Sequence, residues 1–295
     1  MTRRAGMPTY KKKREAPATL NRTRRGFRLK DGRLHLAGGI VLTVVWTRDL
    51  PAEPSSVRVY QDSLGHWYAS FVVTARIQPM PKAGRVLGVD WGVRETATTT
   101  SDAHDLPHAG RGRKAEAQLT RYDRMMARRR PQKGRPGSKD YREAKKLRAK
   151  AHRKVARQRE DTGRKWAKKV VRDHDAIAVE DFRPQFLART TMARKAAGAA
   201  TGATKAAPME TGRKHGRDIR LVHPAYTTMD CANCDARAQH ARPLGERTCT
   251  CNCTACATAS PRDKNSARVM PVRAGLDPAG TDGGRPPGAL LQEAA

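Results

Sequence analysis

The chain has 295 residues, with 60 Lys and Arg against 28 Asp and Glu, for a formal net charge of +32. So large a charge opposes compaction by self-repulsion unless a polyanion offsets it; solubility needs far less, so nucleic acid is the expected partner. The longest apolar run, LAGGIVLTVVW, is too short to span a bilayer, and the basic start MTRRAGMPTYKKKREAP lacks the apolar part of a secretory signal, so a cytoplasmic, nucleoid-associated protein with no membrane partner is expected.

Residues 1–34 are basic and poor in apolar side chains and are expected to be a disordered arm. Residues 35–80 suggest a small antiparallel β-module. Residues 40–46 (IVLTVVW) are β-branched, and SVRVYQDSLGHWYASFVV alternates on both sides of a turn at 62–65. IQPMPKAG follows as a linker. RVLGVDWG and ETATTT then form a hairpin whose first strand carries an acid, Asp90.

Residues 115–172 have the pattern of a basic antiparallel helical hairpin. The first helix, about 115–130, sets Leu119, Tyr122 and Met126 on one face. The second has Ser138 as N-cap and Asp140 in its first turn, both favourable there. Tyr141, Ala144, Leu147, Ala151, Val155, Thr162, Trp166 and Val170 form one stripe along it. Lys and Arg cover the other faces and together offer a surface for a phosphate backbone. DAIAVEDF is another short apolar run, ending at Glu180. The next stretch is helix-like, weakened by Gly198 and Gly202 and expected to break at Pro208. DIRLVHPAY is a short strand, and 273–295 is a Gly/Pro-rich tail expected to be disordered.

Between these last two segments lie six cysteines. CANC supplies Cys231 and Cys234, and CTAC supplies Cys253 and Cys256. Two CxxC pairs separated by eighteen residues have the spacing of a four-thiolate zinc ribbon. Cys249 and Cys251 offer other choices, with Cys251 a possible substitute. A site made wholly of protein ligands is structural. Just beyond it, SPRDKNSARVM places Asp263 at a helix start. Asp90, Glu180 and Asp263 each end an apolar element or open a helix. Three converging carboxylates would suit Mg²⁺ or Mn²⁺ and phosphodiester cleavage.

The segments GVDWGVRETATTT, AIAVEDF, LVHPAYTTMDCANC, CTAC and SPRDKNSARVM resemble the TnpB (OrfB-type) proteins of insertion sequences. These are transposon-encoded, RNA-guided DNA endonucleases related to type V CRISPR effectors. The resemblance implies an α/β fold with a ribonuclease H-like (RuvC-like) core split into three pieces, whose acids are Asp90, Glu180 and Asp263. The implied layout has a partial wedge domain at 35–80 and a nuclease core at 84–222 with its helical insertion at 115–172. A zinc ribbon at 223–260 and a last RuvC-like segment at 261–272 complete it. Implied cofactors are structural Zn²⁺ and catalytic Mg²⁺ or Mn²⁺, and implied partners are DNA and a guide RNA from the transposon end. Two departures stand out. The part before the nuclease core is short, which reads as N-terminal truncation. Asp235 and Ala257 occupy knuckle positions where glycine, free to take φ > 0, is usual. The alternative expectation is a non-catalytic DNA- or RNA-binding remnant, or an RNA-guided repressor.

Overall fold

The structure is a computed structural model that describes residues 18–276 apart from 75, 133–134, 184–192, 194–199, 241–242 and 244. The chain forms two units, Met1–Arg76 with Pro131–Lys150, and Ile77–Arg130 with Ala151–Ala295.

The first unit holds two three-stranded antiparallel sheets. One orders β1 (Thr19–Thr23), β5 (Ser56–Gln61) and β6 (Trp67–Val72); the other orders β2 (Phe27–Lys30), β3 (Arg33–Leu36) and β4 (Ile40–Thr43). Phe27, Leu34, Leu36, Val57 and Val59 make the core between them. The expected β5–β6 hairpin is present. Its turn is closed by Asp62, whose Oδ1 accepts from Leu64 N and His66 N. The expected disordered arm at 1–34 is corrected from Thr19 onward, because those residues are strands; 1–17 lie outside the described residues. Asp31 and Gly32 both take positive φ, at 52° and 70°, and close a two-residue hairpin between Lys30 and Arg33. Such a turn favours Asp-Gly because both residues need φ > 0.

The second unit is built on a five-stranded sheet ordered β11-β10-β7-β8-β9. Its strands are β7 (Val86–Trp91), β8 (Glu95–Thr99), β9 (Leu106–Pro107), β10 (Ala176–Glu180) and β11 (Asp218–Val222). β7, β8 and β9 run antiparallel in sequence, whereas β10 pairs parallel with both β7 and β11. The helices are α1 (Arg111–Lys114), α2 (Glu116–Arg128), α3 (Lys139–Asp173), of which only the part from Ala151 onward belongs to this unit, α4 (Thr201–His215) and α5 (Arg262–Arg273). Strand alternation sorts the sheet's two faces. Leu87, Val89 and Trp91 of β7 and Ile177 and Val179 of β10 pack with Trp166, Ala167, Val170 and Val171 of α3 and Ala207 of α4. The other face carries Ala176, Ala178 and Val222 against Met270 of α5 and Leu276. Trp91 meets Trp166 edge to face at 5.8 Å.

Both expected basic helices are present. Ser138 Oγ accepts from Tyr141 N at 3.1 Å, as an N-cap does. Pro208 does not break α4, which is a correction. It lies buried within the helix, with Ala207 and Gly212 also buried. The cost of the missing N–H, about 3 kcal/mol, is offset by this tertiary packing. Asp175 fastens the sheet's lower end: its carboxylate accepts from Ala83 N and Gly84 N and pairs with Arg217. Residues 277–295, most of the expected tail, lie outside the described residues. No described helix is long and apolar enough to cross a membrane.

Candidate functional site

Asp90, Glu180 and Asp263 are brought together by the sheet's alternation and by α5. Val179 pairs with Val89 in the parallel β7–β10 ladder, so Glu180 and Asp90 follow one step on. Both are even-numbered positions and belong to the face opposite α3, the face covered by α5. Gly88, two residues before Asp90, is what lets α5 lie close. A Cβ there would fall 2.0 Å from the Ala267 carbonyl oxygen and 2.6 Å from Pro271 Cδ. Ala267 sits one helical turn past Asp263, a rise of about 6 Å. Asp90 sits two residues past Gly88, about 7 Å along the strand. The two acids are thereby carried toward the same end of the sheet.

The electrostatics report the same convergence. The Asp90 carboxyl is pushed well above the usual range, first by burial, then by the negative charges of Glu180 and Asp263, with Arg262 opposing. Glu180, 7% exposed, is raised to about 7, chiefly by burial. A 3.4 Å hydrogen bond from Trp91 N and the charge of Lys205 pull it back. Lys205 Nζ pairs with Asp181 and donates to the Phe182 carbonyl, which holds its charge beside Glu180. Carboxyls buried as Asp90 and Glu180 are favour either a proton or a cation. Oxygen ligands of this kind could hold divalent Mg²⁺ or Mn²⁺.

The four Sγ atoms of Cys231, Cys234, Cys251 and Cys256 lie within 4.8 Å of one another. Cys231 and Cys256 are 3.8 Å apart and Cys234 and Cys251 3.4 Å. A tetrahedral ion bound at about 2.3 Å to each sulfur spaces its ligands roughly 3.8 Å apart. The group therefore fits such an ion, and none of the six cysteines is in a disulfide. One expected ligand is corrected: Cys251 takes the place of Cys253. β12 (Thr248–Thr250) pairs with β13 (Ala259–Pro261), and Cys251 N donates to Thr258 O just past that ladder. This delivers the Cys251 sulfur to the cluster and makes the second pair C-x4-C. Cys253 instead donates its N–H to Cys251 Sγ, at 3.3 Å. The knuckle turn still runs from Cys253, since Ala257 N donates to Cys253 O just as Asp235 N donates to Cys231 O. Asp235 and Ala257 take φ of 58° and 42°, the conformation for which glycine is usual. Burial raises the thiols of Cys234 and Cys251. For Cys256 burial is outweighed by hydrogen bonds from Thr258 and Asn233, which bring it down to about 6.

Sequence reasoning missed three supporting residues. Lys205 is one. The others follow Asp263 directly. Lys264 Nζ donates to Asp105 Oδ2 at 2.7 Å and to Thr99 O at 2.9 Å, and also pairs with Asp102. Buried Asn265 accepts from Ala232 N and donates to Asp230 O. The signal was the DKNS run itself, four polar residues opening a helix whose next turn is buried. Elsewhere, Arg121, Arg124 and Arg128 of α2, with Thr120 and Met125, line an open cavity of about 630 Å³. Their spacing of three and four puts these guanidiniums on one helix face.

Residues 69–189 match the OrfB_IS605 family, described as a probable transposase, in keeping with the resemblance expected of the sequence. A curated protein of Streptomyces pristinaespiralis, provisionally named an RNA-guided DNA endonuclease, is 27% identical over 278 residues, covering 93% of this chain and 67% of that protein. Among solved structures, a Cas12f1–sgRNA–target DNA complex aligns at 13% identity and TM-score 0.48 over 74% of this chain and 45% of the other. A mini RNA-guided endonuclease, CRISPR-Cas_phi3, aligns at 13% identity and TM-score 0.41 over 74% and 51%. The chain thus spans about half the length of these solved structures.

Proposed function

We propose that this chain is a transposon-encoded, RNA-guided and metal-dependent DNA endonuclease whose core is ribonuclease H-like (RuvC-like). The observation that carries it is that Asp90 and Glu180 lie on one face of the β11-β10-β7-β8-β9 sheet with Asp263 near them, the Asp90 carboxyl being raised by burial and then by the charges of Glu180 and Asp263. Divalent Mg²⁺ or Mn²⁺ would supply Lewis-acid stabilisation and an activated water for phosphodiester hydrolysis. Asp90 and Glu180 would hold such ions from the rigid centre of the sheet, and Asp263 from α5. Lys205 would keep Glu180 ionised and oriented through Asp181. The four thiols of Cys231, Cys234, Cys251 and Cys256 would take Zn²⁺ as a structural ion.

The basic faces of α2 and α3 would bind phosphate backbones of guide RNA and target DNA. Arg121, Arg124 and Arg128 are the leading candidates, their guanidiniums suited to bidentate phosphate contacts. The test is purification with co-bound RNA, sequencing of that RNA, and a cleavage assay on matching DNA. Asp90→Ala is expected to abolish cleavage while leaving gel-shift affinity unchanged. Binding by the parent protein with no cleavage in Mg²⁺ or Mn²⁺ would select the non-catalytic reading instead.

A further inference from the structure

We infer that Asn265 is a positioning residue that makes the geometry of the carboxylate site depend on the ion held by the cysteines. The inference rests on the metal-site reading proposed above. Asn265 Oδ1 accepts from Ala232 N at 3.0 Å and its Nδ2 donates to Asp230 O at 2.7 Å. These two backbone groups flank Cys231, one of the four clustered thiols. The same side chain projects from the first turn of α5, two residues after Asp263. Ser266 Oγ adds a bond to Thr227 O at 3.3 Å. From the other direction Lys264 ties the turn to Thr99 and Asp105. The start of α5 is therefore suspended between the thiol knuckle and the end of β8.

Closing the knuckle on an ion fixes the backbone around Cys231, because without an ion nothing bonds the four sulfurs to one another and the segment has little apolar core of its own. Asn265 reads that closure through a donor and an acceptor at once. Once the ion leaves, Ala232 N–H and Asp230 C=O lose their fixed spacing and the carboxamide cannot satisfy both. The turn bearing Asp263 then loosens. A second fastening does not pass through Asn265. The Asp230 carboxylate pairs with Arg273, at the far end of α5, and with Arg237. The knuckle therefore stays attached to the helix when Asn265 is replaced, while its grip on the first turn is lost.

Amide hydrogen exchange of the 262–273 segment in the full chain, zinc-loaded and chelator-stripped, tests this. In the parent, stripping should speed exchange about tenfold, the scale of one lost buried hydrogen bond. In Asn265→Ala, exchange should be fast in both states, while the Co²⁺–thiolate absorption of the substituted cysteine site stays that of the parent. Asn265→Asp, which keeps the acceptor for Ala232 N and loses the donor, should fall between them and serves if the alanine variant does not fold. Stripping that changes nothing in the parent, or that acts equally in parent and Asn265→Ala, overturns the inference. Mn²⁺ binding is followed in parallel. It should weaken about tenfold in Asn265→Ala and no further when Cys251→Ser is added, because coupled sites are non-additive. A parent that binds no Mn²⁺ counts against the nuclease proposal, and the exchange data then judge the Asn265 tie independently.

Discussion

Gly88→Ala tests whether α5 must lie flush on β7 for the carboxylates to meet. The new Cβ would stand 2.0 Å from the Ala267 carbonyl oxygen, 2.6 Å from Pro271 Cδ and 3.0 Å from its Cγ. An ordinary carbon–oxygen contact is about 3.3 Å or more, so strand and helix must part by roughly 1.3 Å. Neither obstacle is the free end of a flexible side chain: one is backbone and the other a buried proline ring. Asp263 lies a single turn from Ala267 and would move with it. Overpacking of this kind costs about 1–3 kcal/mol of stability, and a misplacement on the order of 1 Å costs about 100-fold in rate. The assay is cleavage of guide-matched DNA by the RNA-copurified protein, alongside Mn²⁺ titration and thermal melting. A variant melting a few degrees lower, binding Mn²⁺ more weakly and cutting about 100-fold slower is expected. Gly88→Ala that melts and binds Mn²⁺ like the parent would refute the packing argument.

Other outcomes follow from the same geometry. With the acid site free of divalent ions, the native state holds a proton on Glu180 up to about pH 7, whereas the unfolded chain releases it near 4.5. Stability should therefore be full below about pH 4.5 and fall as pH rises to 7, by about 3 kcal/mol from Glu180 alone. Mn²⁺ affinity should climb over the same range with proton release; a flat affinity from pH 6 to 8 would contradict it. Cys251→Ser should lose the cysteine-bound ion and Cys253→Ser retain it, read as zinc content by mass spectrometry. The reverse pattern would restore the CxxC assignment. Ala257→Gly should raise the melting temperature of the zinc-loaded protein, since it relieves a left-handed alanine worth about 1 kcal/mol. Lys205→Met should raise the Glu180 pKa further and shift the pH dependence of Mn²⁺ binding upward.

Much of the carboxylate site was legible because β-strand alternation is a local code. RVLGVDWG and DAIAVEDF each end an apolar run with an acid, and a period of two fixes which face that acid takes. The cysteine site was only partly legible. Spacing alone favours Cys253, but the thiol that arrives is decided by where the β12–β13 ladder releases the chain, a tertiary fact. The first strands were hidden by charge: Phe27, Leu34 and Leu36 are few among many Arg and Lys, yet they make a core with Val57 and Val59 from elsewhere in the chain. Asp31-Gly32 was the overlooked hairpin signal. Pro208 misled because propensity counts the lost hydrogen bond and not the burial that offsets it. Asn265 and Lys264 could not be assigned roles without knowing that a knuckle and a strand end approach α5 from two sides.

The three carboxylates come from strands and a helix separated by 90 and 83 positions of chain. On the ribosome they emerge one after another, and Asp263 comes last, after the cysteine knuckle that its helix leans on. Chains elongate at about 5–20 residues per second, so for several seconds a nascent molecule carries Asp90 and Glu180 without the third acid. In the nuclease proposed above, this order would leave the acid site incomplete until the segment bearing the four clustered thiols had been made.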